Sequence, residues 1–161
     1  MLSFEVTQAL MSVETVYHVR IPRADAVVYT VRGVLMSATP KFHLLEGEAG
    51  RDLGALSGNF LKTKYEITGS GASTGTLANI VFPAVAFKKT LTLTTGGEVF
   101  DVDGGVFRGV FQAKRGDALL LEIAKVLSIR DTFAIKISEE LPFQVGLLSA
   151  VAIHSRFYEM V

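Results

Sequence analysis

Cysteine is absent from the 161 residues, which excludes a disulfide scaffold, a thiol nucleophile and any thiolate metal site. Tryptophan is absent as well, and only four prolines interrupt the chain. Neither sign of charge is in excess: 16 Lys and Arg stand against 16 Asp and Glu, which disfavours a generally basic nucleic-acid binder. The opening Met1-Leu2-Ser3-Phe4-Glu5-Val6 lacks the cationic start, apolar block and small-residue cleavage site of a signal peptide, so the cytoplasm is the expected compartment. The uncharged apolar stretch from Leu141 to Ile153 is shorter than the ~18 to 20 residues that a spanning helix requires, and no transmembrane span is expected.

What the chain has in quantity is apolar side chain, 49% of residues, with a mean hydropathy of +0.39. Such a chain must bury a large core, and its length fits one domain over 1–161. The apolar residues alternate. Tyr17, Val19 and Ile21 interleave with His18 and Arg20; Tyr65 and Ile67 with Lys64, Glu66 and Thr68; Leu91 and Leu93 with Thr92 and Thr94; Phe133, Ile135 and Ile137 with Ala134, Lys136 and Ser138. A period of two is the signature of a strand buried on one face. Anchors at Tyr17, Phe42, Tyr65, Leu91, Phe111 and Phe133 recur every 20 to 26 residues, the spacing of two strands and two connections. Turn chemistry lies between them at 46–50, 69–75, 95–97 and 115–117, where Gly or Asp tolerates positive φ. With a leading strand at Ser3–Thr7, about eleven or twelve antiparallel strands over 3–138 are expected, a number that curls or closes.

Past residue 138 the rhythm changes. Glu139 and Glu140 precede Pro142, which suits the first turn of a helix, and Phe143 to Ile153 has no polar face. A helix that is apolar all round is a buried helix. Gly146, Ser149, Ala150 and Ala152 keep it thin enough to enter the lumen of a barrel. The expected fold is therefore all-β with one long helix: a closed antiparallel barrel of about twelve strands around a buried C-terminal helix over 142–158.

Two segments add a resemblance: Val126-Leu127-Ser128-Ile129-Arg130-Asp131-Thr132-Phe133-Ala134-Ile135-Lys136-Ile137, and then Leu141-Pro142 with Leu147-Leu148-Ser149-Ala150-Val151-Ala152-Ile153-His154. This ending resembles that of LURP-one-related proteins, which belong with tubby C-terminal domains and phospholipid scramblases. The resemblance implies a twelve-stranded barrel around a hydrophobic helix. Tubby domains bind phosphoinositides and scramblases act on membrane lipids, so it also implies a lipid-directed role, with no catalytic residue carried over.

Hairpin order sorts the charges. The connections between units, at 8–16, 32–41, 58–64, 83–89, 103–110 and 125–131, hold nine cations against Glu14, Asp103 and Asp131, a balance of +6. The tips within units, at 22–26, 46–52, 69–75, 95–98, 114–118 and 138–141, hold eight anions against four cations, a balance of −4. Lys62, Lys64, Lys88 and Lys89 in the first set are the candidate contacts for lipid phosphate, which makes the protein a non-enzymatic module at the membrane surface. The competing readings are solvated caps on a protein-interaction or structural barrel, and a serine hydrolase. For the hydrolase, Gly71-Ala72-Ser73-Thr74-Gly75 matches a nucleophile elbow, followed in order by an Asp (101, 103, 117 or 131) and His154. That elbow requires a helix after Ser73, whereas Thr76 to Phe82 reads as strand. Asp101-Val102-Asp103-Gly104-Gly105 opens like a calcium loop but lacks the closing Glu, and His18, His43 and His154 are too scattered to ligate a metal. No metal or cofactor is expected.

Overall fold

A computed structural model describes residues 1–9, 13–71, 74–84, 89–104, 109–126 and 131–158. Twelve strands form a single sheet: β1 (Leu2–Ala9), β2 (Val16–Arg20), β3 (Val27–Gly33), β4 (Lys41–Glu46), β5 (Asp52–Gly58), β6 (Lys64–Gly69), β7 (Gly75–Val81), β8 (Thr90–Thr95), β9 (Glu98–Asp103), β10 (Val110–Arg115), β11 (Ala118–Val126) and β12 (Thr132–Ile137). Helix α1 (Phe143–Ile153) follows and runs into a π-helical turn, His154–Tyr158. Among the described residues, no helix is long and apolar enough to cross a membrane.

Strand order is β10-β11-β12-β1-β2-β3-β4-β5-β6-β7-β8-β9, and every ladder is antiparallel. The first strand therefore lies beside the last, with Phe4 opposite Ile135 and Val6 opposite Phe133. Register is held by alternation, because a slip of one residue would turn each apolar set outward. Val6, Val19, Val31, Leu44, Leu56, Ile67, Ile80, Leu93, Ile123 and Ile135 all point inward and are buried. Tight turns close the hairpins, as at Gly96 (φ 60°) and Gly97 (φ 78°) between β8 and β9, where two successive left-handed residues match the strand twist.

Closure is incomplete at one place. No ladder joins β9 to β10 among the described residues, so the expected closed barrel is a nearly closed one. Side chains span this seam at both ends. The Phe111 ring lies over Gly104, so closely that a Cβ there would stand 2.6 Å from its Cζ. At the other end Arg115 on β10 donates from Nε to Glu98 on β9 at 3.0 Å, pairs with it again through Nη2, and reaches Glu140 at 3.2 Å.

α1 fills the lumen as its composition indicated, and Val145, Leu147, Leu148, Ala150, Val151 and Ala152 are wholly buried. Its thinness is needed: a Cβ on Gly146 would come 2.8 Å from Ile137 Cδ1 and 3.4 Å from Leu121 Cδ1. One expected inward residue is placed differently. Ile21 lies beyond the end of β2 and is 49% exposed; a register shift between Val19 and Arg20 breaks the alternation first, and Val16 and Tyr17 supply the buried side chains at the other end of the strand.

Candidate functional site

Antiparallel order places the connections within hairpins at one end of the barrel and those between hairpins at the other. α1 enters at the hairpin-tip end, behind Glu139 and Glu140, and its continuation finishes at the opposite end, here called the mouth. The sorted charges therefore match the helix dipole, with acids near its positive N-terminus and cations near its negative C-terminus.

The six sequence anchors are all buried, and each is the second residue of an even-numbered strand. Even-numbered strands start at the mouth, so the anchors form a ring there. Much of that ring grips the π-helical turn. Tyr17 and Phe133 stand edge-on to the His154 ring, Phe133 packs on Tyr158, and Phe111 stacks on Phe157. Polar contacts fix the same turn. Tyr17 Oη and His154 Nδ1 share a buried 2.8 Å hydrogen bond, and Tyr65 Oη donates to Ser155 Oγ at 3.1 Å. The Asp131 carboxylate faces His154 Nε2 at 3.5 Å and pairs with Lys125 at 3.4 Å.

The four proposed phosphate contacts do not form one open cluster. Lys62 reaches inward, its Nζ 3.4 Å from the Ser155 carbonyl oxygen. Lys89 sets its Nζ 4.1 Å above the Tyr158 ring, a cation–π contact. Both ammonium groups thus meet the last turn of the helical segment. Lys64 is exposed at the start of β6, and Lys88 lies outside the described residues. Arg156 also closes the mouth, donating to the Pro83 and Ala84 carbonyls at 2.9 and 3.4 Å.

A second feature of the mouth is apolar. The connection after β3 exposes Leu35 and Met36, the connection after β5 exposes Phe60 and Leu61 at 78% and 68%, and Val13 beside them is 77% exposed. These loops border a cleft of about 390 Å³, lined among others by Val34, Met36, Phe42, Phe60, Lys41 and Lys62. Charge counting passed over them. The available signal was apolar residues, Val34-Leu35-Met36 and Phe60-Leu61, in segments that the strand pattern assigns to connections, where polar residues are the rule.

The hydrolase reading requires an elbow at Ser73 followed by a helix, with His154 close by. Ser73 lies outside the described residues, but the segment after it is strand β7, not helix. Gly71 and Thr74 lie at the tip end, whereas His154 is at the mouth, about 20 Å away along the seven residues of β7. His154 Nδ1 is also bonded to Tyr17. Among the described residues no three His, Asp or Glu side chains are grouped to hold a metal ion. His18 and His43 sit half-buried on the outer faces of β2 and β4, and His43 pairs with Asp52 at 2.9 Å. No protein-family model matches the chain, and neither does any curated protein.

Proposed function

We propose that this barrel is a non-enzymatic module that docks by its mouth on anionic membrane lipid. The observation that supports the reading is the sorting of charge by barrel end. Arg32, Lys41, Lys62, Lys64, Lys89 and Lys125 stand at the mouth against Glu14, Asp103 and Asp131, while the tips are acidic. A neutral chain built in this way turns one pole toward a negative surface. Each cation near such a surface contributes about 1 kcal/mol, so the attraction grows with the number that reach it. Lys41 and Lys64 are the exposed members.

Co-sedimentation with phosphatidylcholine vesicles, with and without phosphatidylserine or a phosphoinositide, tests the reading. Binding is expected only to the anionic vesicles, weakening as salt is raised. Lys41→Glu with Lys64→Glu is the informative variant, because neither residue holds the helix end. Retention of full binding by that variant, or no sedimentation of the unaltered protein, would remove the proposal.

A further inference from the structure

Resting on that reading, we infer that the loops at 34–40 and 59–63 enter the bilayer, with Leu35, Met36, Phe60 and Leu61 below the level of the lipid phosphates and Lys41 and Lys64 at it. The exposed apolar residues are held in place by their own loops. Asn59 Oδ1 accepts from the amides of Thr63 and Lys64 at 2.8 and 3.0 Å, and its amide nitrogen donates to Thr63 Oγ1 at 2.9 Å. That clasp fixes the backbone on either side of Phe60 and Leu61. The neighbouring connections are tied in turn: the Gly58 amide donates to Pro40 at 2.7 Å, Val34 to Lys41 at 2.8 Å and Gly33 to Thr15 at 2.8 Å.

Among the described residues three non-glycines have positive φ, and two of them, Met36 (58°) and Lys62 (56°), lie in these two loops. Left-handed backbone is unfavourable for a side chain bearing a Cβ. The fold accepts it where the result is a methionine standing wholly in solvent and a lysine beside an exposed Phe-Leu pair. Strain of that kind, at rigid loops that display apolar groups, serves contact with something outside the chain.

Charge identifies the occupant as a membrane. Segments 33–42 and 58–64 contain Lys41, Lys62 and Lys64 and no Asp or Glu, while the nearby Glu14 is paired with Arg32 at 2.7 Å. Apolar tips with Lys64 three residues after Leu61 and Lys41 five after Met36 match the order of a lipid monolayer, hydrocarbon below and phosphate above. Lysine stems are long enough to reach back to the phosphates while the tips go under. Separate convex tips also suit a fluid surface, which closes around any protrusion, better than a protein partner, which would need a matching hollow for each.

The chain has no cysteine, so Met36→Cys provides a unique thiol for a nitrobenzoxadiazole dye, and Glu48→Cys provides a control at the acidic tips. On mixed phosphatidylcholine–phosphatidylserine vesicles the dye at 36 is expected to shift to the blue and to be quenched by lipid spin-labelled on the acyl chain. The dye at 48 is expected to do neither. A variant carrying Leu35→Ser, Met36→Ser, Phe60→Ser and Leu61→Ser is expected to keep its circular dichroism and lose at least about tenfold in vesicle affinity at fixed salt. Sedimentation with vesicles while the dye at 36 stays unquenched would overturn insertion and leave surface docking standing. Absence of sedimentation would remove both. Conversion of a dimer to a monomer by the four serines, without vesicles, would show a face between copies of the chain and overturn insertion.

Discussion

Tyr17 and His154, 137 residues apart in sequence, join by a 2.8 Å hydrogen bond inside the barrel, where both are 1% exposed. The contact ties the second strand to the end of the helical segment and so locks the plug in the lumen. Removing the hydroxyl takes a partner from a buried imidazole, which costs more than an exposed bond is worth. Tyr17→Phe is expected to lower stability by about 1–3 kcal/mol in urea unfolding. An unchanged midpoint would show that the bond does not hold the plug.

Core and mouth loops respond differently to truncation. Leu148 on α1 has no exposure, and Leu148→Ala leaves a cavity in a filled lumen, an expected loss of about 2–5 kcal/mol. Met36→Ser, in solvent, is expected to stay within about 0.5 kcal/mol of the parent. Equal effects in the two variants would contradict the placement of one or the other.

Alanine at 104 strikes the seam. Its Cβ would press on the Phe111 ring, 2.6 Å from Cζ, and the ring must leave its place across the gap. Overpacking of this kind costs about 1–3 kcal/mol. Hydrogen exchange gives the local reading: the β10 amides that face the seam are expected to exchange faster in Gly104→Ala while those in the β4–β5 ladder do not change.

Glu98→Gln acts on the other end of the same seam. Arg115 donates to the Glu98 carboxylate and holds its pKa below the ordinary 4.5, yet the pair is solvent-exposed. Global stability at neutral pH is expected to be nearly unaffected, with faster exchange along the β10 edge. Glu98 contributes above pH 4.5, and its contribution disappears as acid protonates it, so any destabilisation of the variant relative to the parent must vanish below that range.

His18 acts in the same direction at milder pH. Burial, and then the charge of Arg20, lowers its pKa from the ordinary 6.5. The unfolded chain therefore binds more protons than the folded one just below pH 6.5, and stability falls as acid takes the pH down through the folded value. Proton NMR should place the His18 midpoint below 6.5. His18→Gln is expected to lose less stability than the parent between about pH 7.5 and about pH 5.5; equal losses would assign the effect elsewhere.

Much of the architecture is legible residue by residue. Period-two alternation and the charge-free stretch from Phe143 to Ile153, which has no continuous polar face, dictate half-buried strands and a helix with no face for water. The spacing of Tyr17, Phe42, Tyr65, Leu91, Phe111 and Phe133 marks the hairpin repeat, although only the assembled barrel shows that all six converge on one end. The seam is invisible in sequence, because β9 and β10 alternate as their paired neighbours do and nothing local reports a missing ladder. The inward turn of Lys62 is equally hidden: a lysine in a connection reads as solvated, and its partner at Ser155 is 93 residues away. Counting charges distinguished the two ends of the barrel but passed over Met36, Phe60 and Leu61, whose exposure depends on how Asn59 and the left-handed residues shape their loops.

The order of elements along the chain has a consequence for biosynthesis. A ribosome releases all twelve walls before the segment they enclose, and β1 must wait for β12 before its free edge is covered. Until about residue 158 has emerged, the nascent polypeptide carries a lining of Val, Leu, Ile and Phe with nothing to line, and contacts this distant in sequence form slowly. Closure of the barrel thus waits for the last helix, and until it arrives the apolar interior is open to aggregation.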